Sequence, residues 1–365
     1  MDRKQDIFRG CLLGLAVGDA MGYTVDTKTL EQIQEAYGPN GLLGYDLVNG
    51  YADVTSYTQL AAFAANGLLF GMTRGQLQGR MAPLVRYIAV AVREWSRSQH
   101  YCEPERNYCW LSTVPELKRR RCMDTWMLAT LGRNQVGTME EPIGRSDNPA
   151  ALTEVIPIAL LAKELNLSDE ERNRLGAEAV ALTHGDPEAF ISGAALTHVM
   201  GHIAAGTSMH LEELVEDTLN AIQFQFGREY PQTAKLWELS RMALTLAQSE
   251  TITQMEAMEQ LQCRSAAEVL AGVLYACATC RNDFDAAMIT AVNHSGRSAA
   301  VGAITGAILG ARMGEAALPE FYLECLEPTH ILLELADDLY HGCPMGSGSN
   351  LFDDDWDRKY IHAGL

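Results

Sequence analysis

The stretch RGCLLGLAVGDAMG, residues 9–22, carries glycine at every fourth position, and VGAITGAILGARMG, residues 301–314, repeats this spacing. Glycine inside a helix costs about 1 kcal/mol relative to alanine, so such a pattern requires a compensating gain. Positions i and i+4 lie along one ridge of an α-helix, and a ridge without side chains lets a second backbone approach closely. We therefore predict two glycine-striped helices packed at the centre of the fold, with each other as the candidate partners.

The remainder of the chain also indicates helices. Apolar residues recur at i, i+3, i+4 and i+7 in most long segments, and alternation with period two is rare. The predicted fold class is all-α, a single compact multi-helix domain over residues 1–365, with 343–365 as an irregular C-terminal tail. The periodic segments are 59–72, 81–97, 123–131, 150–165, 171–184, 187–205, 211–226, 231–248, 265–281, 284–293, 298–313 and 329–341.

Composition limits the classes of partner. The 365 residues carry a formal net charge of −19, which argues against binding to nucleic acid or to an anionic membrane surface. The N-terminal apolar run is interrupted by Asp19 and does not resemble a secretory signal, and the run 299–311 is too short to span a bilayer. Nine cysteines without framework spacing fit a reducing compartment, so a cytoplasmic location is expected.

A helix start is predicted within ADVTSYTQLA, residues 52–61. Ser56 is followed three residues later by Gln59 and then by an apolar run, which is typical of a capping box. The free amides and positive end of such a helix suit a carboxylate or a bound anion. Here the helix start carries the hydroxyl of Ser56 and the phenol of Tyr57 instead.

Four stretches resemble the ADP-ribosylglycohydrolase family: RGCLLGLAVGDAMG (9–22), TWMLATLGRNQVGTMEEPIGRSDN (125–148), LTHGDPEA (182–189) and AVNHSGRSAAVGAITGAILGARMG (291–314). The resemblance implies a compact all-α fold and an active site that cleaves the glycosidic bond of ADP-ribosyl groups. Active members of the family use two Mg²⁺ ions, held by a Thr-Asp-Asp-Thr motif and by an Asp-x-Asp motif that follows Asn-His-x-Gly.

The metal motifs are altered in this chain. The first reads Thr-Ser-Tyr-Thr over 55–58, and the second reads Gly-Arg-Ser-Ala-Ala over 296–300. The former metal positions are therefore Ser56, Tyr57, Arg297 and Ala299. Paired divalent cations need several carboxylates to balance their charge, and a guanidinium beside them is repulsive. We expect no bound magnesium and no other cofactor.

The resemblance also identifies a diphosphate-binding loop, and this loop is altered too. The aligned stretch is SDNPAALTEVIPIAL, 146–160, where the family's glycines appear as Asn148 and Ala150 and its Met-Arg as Thr153-Glu154. Lost glycines restrict a close approach of backbone to phosphate, and Glu154 would repel it.

Several family positions are retained. Asp26 is the candidate catalytic residue, whereas Asp19 and His184 each have a structural alternative, at a helix end and at a helix–helix turn respectively. Arg297 is predicted to pair with Asp26 or Glu154. The predicted ligand cleft comprises Thr55, Asp19, Asn148, Glu154, His184, Asn293 and Ser298.

Four functions remain open on the sequence. The first is a protein without hydrolase activity that binds a nucleoside, an ADP-ribose-like molecule or a protein in the former cleft. The second is a metal-independent glycosidic hydrolase with Asp26 or Glu154 as acid or base. The third is ordinary family activity with metal ligands from elsewhere, such as Asp46 or Asp53, and the fourth is a scaffold role.

Overall fold

The computed structural model describes residues 2–100, 108–122, 124–133, 135–162, 164–345 and 352–362. Within these residues the chain forms seventeen α-helices and four short 3₁₀ segments, with no strand, which confirms the all-α prediction. The helices are α1 (Arg3–Tyr23), α2 (Leu30–Tyr37), α3 (Ser56–Gln78), α4 (Leu84–Gln99), α5 (Thr125–Gly132), α6 (Ile156–Leu161), α7 (Asp169–Ala181), α8 (Pro187–Ala204), α9 (Leu211–Phe226), α10 (Thr233–Ala247), α11 (Gln254–Leu261), α12 (Ala266–Thr279), α13 (Phe284–Val292), α14 (Ser298–Met313), α15 (Glu320–Cys325), α16 (Thr329–His341) and α17 (Asp354–Tyr360). The 3₁₀ segments are Trp110–Thr113, Pro115–Leu117, Pro149–Val155 and Glu315–Ala317.

The two glycine-striped helices, α1 and α14, pack against each other at the centre of the molecule, as predicted. Their glycines meet in antiparallel order: Gly10 with Gly310, Gly14 with Gly306 and Gly18 with Gly302. A Cβ atom on Gly18 would lie 1.9 Å from the carbonyl oxygen of Gly302, and one on Gly14 would lie 2.2 Å from that of Gly306. No residue but glycine fits this contact, because the obstructing atoms are backbone.

Helix α3 is fixed to this central pair by Asp19 of α1. The Asp19 carboxylate accepts hydrogen bonds from the backbone N–H of Thr55 and Thr58, at 2.8 and 3.0 Å, and from both of their hydroxyls, at 2.6 Å. The start of α3 thereby lies beside the C-terminal half of α1. No helix in the described part of the chain is long and apolar enough to cross a membrane.

The predicted capping box at the start of α3 is wrong. Helix α3 does begin at Ser56, but its N-cap is Thr55, whose hydroxyl accepts from the N–H of Tyr57. Gln59 forms no capping box, since its side chain accepts from Trp95 Nε1 and donates to the carbonyl of Arg119.

The C-terminal tail, 343–365, is not wholly irregular. Residues 354–360 form α17, which Asp353 caps by accepting from the N–H of Trp356. The indole of Trp356 donates to Thr73 on α3 at 2.9 Å, so burial of an aromatic side chain holds this helix to the domain. Residues 346–351 and 363–365 of the predicted tail lie outside the described residues.

Candidate functional site

The N-termini of α3 and α14 converge on one small cavity. Gly22, near the end of α1, contacts the backbone of Ser298 and Ala299, so the central helix pair places the start of α14 near the segment that follows α1. Asp26 in that segment accepts a hydrogen bond from the N–H of Ala299 at 2.9 Å. Its carboxylate thus caps α14, whose own N-cap residue, Arg297, offers no side-chain cap.

The cavity brings together all four former metal positions. Its volume is about 30 Å³, enough for a water molecule but far below the few hundred cubic ångströms of a small-molecule site. It is lined by Tyr23, Asp26, Thr55, Ser56, Tyr57, Asp124, Asn148, Ala150, Arg297 and Ala299. Of the predicted site residues, Asp26, Thr55, Asn148 and the four metal positions are therefore brought together.

The side chains of Tyr57 and Arg297 are the two large groups at former metal positions in this cavity. Tyr57 is buried, and desolvation raises the pKa of its phenol well above the usual value, so the phenol is neutral. Burial also raises the pKa of Asp26, partly offset by the Ala299 amide and by the positive charge of Arg297. Within the described residues, however, Arg297 forms no ion pair shorter than 4 Å with Asp26 or Glu154. The predicted ion pair of Arg297 is wrong; its charge acts on Asp26 from a longer distance.

Glu154 does not line the cavity, contrary to the sequence prediction. It lies in the 3₁₀ segment Pro149–Val155 with no exposed surface, and neither carboxylate oxygen has a hydrogen-bond partner. Its neighbour Thr153 points toward α3 instead and donates to the carbonyl of Tyr57 at 2.7 Å. A buried group away from the cavity cannot exchange protons with a ligand there, so Glu154 is excluded as the acid or base of this site.

Four further residues predicted to line the cleft have structural roles instead. Asp19 holds the start of α3, which is the structural alternative foreseen for it, and burial raises its pKa to about 6 despite its hydrogen bonds. Asn293 bonds both backbone groups of Leu42, and Ser298 donates to the carbonyl of His294. His184 is buried between the Thr183 hydroxyl and a carboxylate of the cavity.

That carboxylate belongs to Asp124, which sequence reasoning missed. Asp124 caps α5 by accepting from the N–H of Met127 at 2.7 Å, and its other oxygen lies 3.3 Å from His184 Nε2. Burial raises its pKa, but the bonds from His184 and the backbone outweigh burial, so the pKa is lowered on balance. The signal in the sequence was a helix-capping aspartate directly before TWMLATLG.

A larger cleft adjoins the small cavity and shares Tyr23 and Asp26 with it. Its volume is about 450 Å³, within the range of small-molecule sites. Asp46 and Asp53 line it together with Lys28, and three tyrosines provide ring surfaces. The full lining is Ala20, Tyr23, Thr24, Asp26, Thr27, Lys28, Tyr37, Tyr45, Asp46, Val48, Ala52 and Asp53.

The residues of the cavity do not fit a pair of magnesium ions. The cavity has two carboxylates, those of Asp26 and Asp124. Asp26 already accepts from the N–H of Ala299, and Asp124 accepts from the N–H of Met127 and contacts His184. Arg297 adds a fixed positive charge beside them. Asp53 cannot substitute, because it lines the other cleft and pairs with Arg119 and Arg121 at 3.2 and 2.7 Å. We derive no catalytic step through such ions.

Comparison with known proteins gives a consistent result. The family model for ADP-ribosylglycohydrolase matches residues 1–348. An uncharacterized protein of Archaeoglobus fulgidus is 26% identical over 350 residues, which cover 92% of this chain and 96% of that protein. A solved structure described as an ADP-ribosylglycohydrolase-related protein complex aligns with a TM-score of 0.59 at 22% identity, covering 93% of this chain and 99% of the other, and supports the fold.

Proposed function

The chain belongs to the ADP-ribosylglycohydrolase family, and we propose that it is a member without dinuclear-magnesium hydrolase activity that binds a small ligand in its former active-site cleft. One observation carries the proposal: Ser56, Tyr57, Arg297 and Ala299 line a single cavity of about 30 Å³. A phenol and a guanidinium lie where the family's metal carboxylates would lie. Two divalent cations at this place would face a fixed positive charge with too few anionic ligands.

The ligand is proposed to occupy the adjoining cleft of about 450 Å³. Its tyrosine rings suit a nucleobase or a sugar face, and its three carboxylates, from Asp26, Asp46 and Asp53, suit hydroxyl or amino donors. The same carboxylates disfavour a diphosphate, although Lys28 offers one opposing charge. A nucleoside therefore fits the cleft better than intact ADP-ribose.

Calorimetry and an activity assay on the full chain test this proposal. We expect adenosine to bind with the same affinity in MgCl₂ and in EDTA, and Mg²⁺ alone to give no heat of binding. Tyr23→Ala removes a ring surface of the cleft and should weaken binding about two- to tenfold. The matched control is Phe224→Ala, which removes an exposed ring from α9. Magnesium-dependent release of ADP-ribose from a modified peptide would refute the proposal.

A second candidate function follows from the two carboxylates of the small cavity. Asp26 and Asp124 line it together, and a carboxylate pair is the minimum for acid–base cleavage of a glycosidic bond without metal. Asp124 replaces Glu154 in this hypothesis because Glu154 is sealed off. Turnover that persists in EDTA and is abolished by Asp26→Asn and by Asp124→Asn would favour this function over ligand binding alone.

A further inference from the structure

A cluster of two histidines and two aspartates lies on helices α7, α8 and α9, none of whose residues lines the cavity or the cleft described above. His198 and His202 are one turn apart on α8, so both rings leave the same face of the helix. Asp169 approaches from the start of α7, and Asp217 approaches from α9. One ligand atom each from Asp169, His198 and His202 lie within 4.8 Å of one another.

We propose that this cluster binds one Zn²⁺ or a similar divalent transition-metal ion through Asp169, His198 and His202, with Asp217 beside the two imidazoles as a further carboxylate ligand. Two imidazoles with two carboxylates form a donor set that zinc accepts, at bond lengths of about 2.0–2.2 Å. Neighbouring ligand atoms of a tetrahedral zinc site then lie about 3.3 Å apart.

Three distances between nitrogen and oxygen atoms of the cluster lie near that value or somewhat above it. His198 Nε2 and Asp217 Oδ2 are 3.1 Å apart, and His202 Nε2 and Asp169 Oδ2 are 3.5 Å apart. Asp217 Oδ2 is also 3.9 Å from His202 Nε2. The Nε2 atom of His202 is buried and has no hydrogen-bond partner, although two carboxylates are close to it. A shared metal ion accounts for an imidazole nitrogen held near carboxylates at distances too long for hydrogen bonds.

Hydrogen bonds behind His198 fix its ring for this role. Gln225 donates from Nε2 to the carbonyl of Glu170 at 2.8 Å, which leaves Gln225 Oε1 to accept from Asn173 Nδ2 at 3.3 Å. The Asn173 amide also faces His198 Nδ1, with Oδ1 at 3.2 Å and Nδ2 at 3.1 Å. In the zinc-bound form Nδ1 carries the proton and donates to Oδ1, so that the lone pair of Nε2 faces the cluster, as hydrogen bonds behind metal-ligating histidines arrange.

Charge and access are also compatible with a cation. Asp169 and Asp217 supply two negative charges; one is partly offset by Arg172, which pairs with Asp169 Oδ1 at 2.9 Å and leaves Oδ2 toward the cluster. The side chains of Asp169 and Asp217 are about half exposed, at 53% and 47%, so an ion can enter from solvent. Such an ion would tie three consecutive helices together.

Titration of the metal-free full chain with Zn²⁺ tests the site. We expect one Zn²⁺ per chain, a rise in Tm on its addition, and loss of both effects in His202→Ala, whose side chain is partly exposed and tolerates truncation. His198→Gln and Asp217→Asn should each weaken binding at least about tenfold. The matched control is His330→Ala, an exposed histidine on α16, which should bind as the wild type does.

Three outcomes would overturn the site. One is no binding to the wild type, which would leave the cluster as histidine–aspartate ion pairs. Another is unchanged binding in His202→Ala and Asp217→Asn, which would move the zinc to other residues, such as the cysteines. The third is Co²⁺ substitution without the intense visible absorption of a tetrahedral site. None of these results bears on ligand binding in the cleft, so the two proposals fail independently.

Discussion

At the scale of single residues, Glu154 is the group that departs furthest from ordinary behaviour. It has no exposed surface and no hydrogen-bond partner for either carboxylate oxygen, and desolvation raises its pKa well above the usual value. An unpaired charge buried in a protein is so costly that the group takes up a proton instead. Folding of this chain should therefore bind a proton at pH values between the unfolded and the folded pKa of Glu154.

Glu154→Gln should remove a pH dependence of stability. The pKa of Glu154 in the folded chain lies above its unfolded value of about 4.5. Protonated Glu154 therefore leaves the folded state at full stability below that pH. As the pH rises toward the folded pKa, the free energy of unfolding falls by up to about 1.4 kcal/mol per pH unit. The glutamine has nearly the same shape and does not titrate. We expect urea unfolding to show that the free energy of unfolding of the variant, relative to that of the wild type, is higher at about pH 8 than at about pH 5.

The control for this experiment is Glu238→Gln, at an exposed position on α10. It should follow the wild type at both pH values. Parallel pH profiles of the wild type and Glu154→Gln would mean that Glu154 is ionised in the folded chain, or that it finds a partner in solution.

The residue types of the altered metal motifs were readable from the sequence, but the positions of side chains were not. Arg297 and Tyr57 were identified at former metal positions, and both line the cavity. Glu154 was assigned to the same cavity and faces away, because the facing of a residue in a 3₁₀ segment depends on how Thr153 bonds to Tyr57, 96 positions earlier. Asp124 was missed because its partner, His184, is distant in sequence.

At the scale of elements, the contact between α1 and α14 is the most restrictive feature. Backbone lies against backbone along the glycine ridges, so an added methyl group has nowhere to go. This contact also positions Asp26 and the N-terminus of α14, and the small cavity therefore depends on it.

Gly18→Ala should destabilise the fold by about 3 kcal/mol, because the new Cβ would lie 1.9 Å from the carbonyl oxygen of Gly302 and the helices would have to separate. The matched control is Gly75→Ala on α3, where the nearest atoms are Cβ, Cε and Cγ of Met81 at 3.1–3.2 Å, in the non-helical segment that follows α3. A shift of Met81 by a few tenths of an ångström makes room there, and the helix propensity of alanine offsets its cost, so stability should change by less than about 1 kcal/mol. Chemical denaturation of both variants measures the difference, and equal effects would argue against a close backbone contact.

Long helices were more predictable than short ones. The glycine stripes and the apolar periodicity identified α1, α14 and most of the longer helices, and the segments 123–131 and 150–165 also covered the short helices α5 and α6. The short helices α2, α11, α15 and α17 were missed, since six to eight residues show few turns and give only a weak period. Helix α2 had a local signal nonetheless, the capping box of Thr29 and Gln32.

At the scale of the whole molecule, the first helix packs on a helix near the other end of the chain, and α16 packs on α1 as well. Neither half of the chain encloses a core alone, so the domain should unfold as one unit. We expect urea transitions followed by far-ultraviolet circular dichroism and by tryptophan fluorescence to coincide. Separate midpoints would contradict a single cooperative unit.

The pairing of Gly10 with Gly310 also has a consequence for synthesis. When α1 leaves the ribosome, the complementary glycine ridge of α14 has not yet been translated, and the apolar surface of α1 stays unpaired until residues 298–313 have emerged. Such a high contact order predicts slow refolding and a nascent chain that is prone to aggregate or to recruit chaperones until its last third is made.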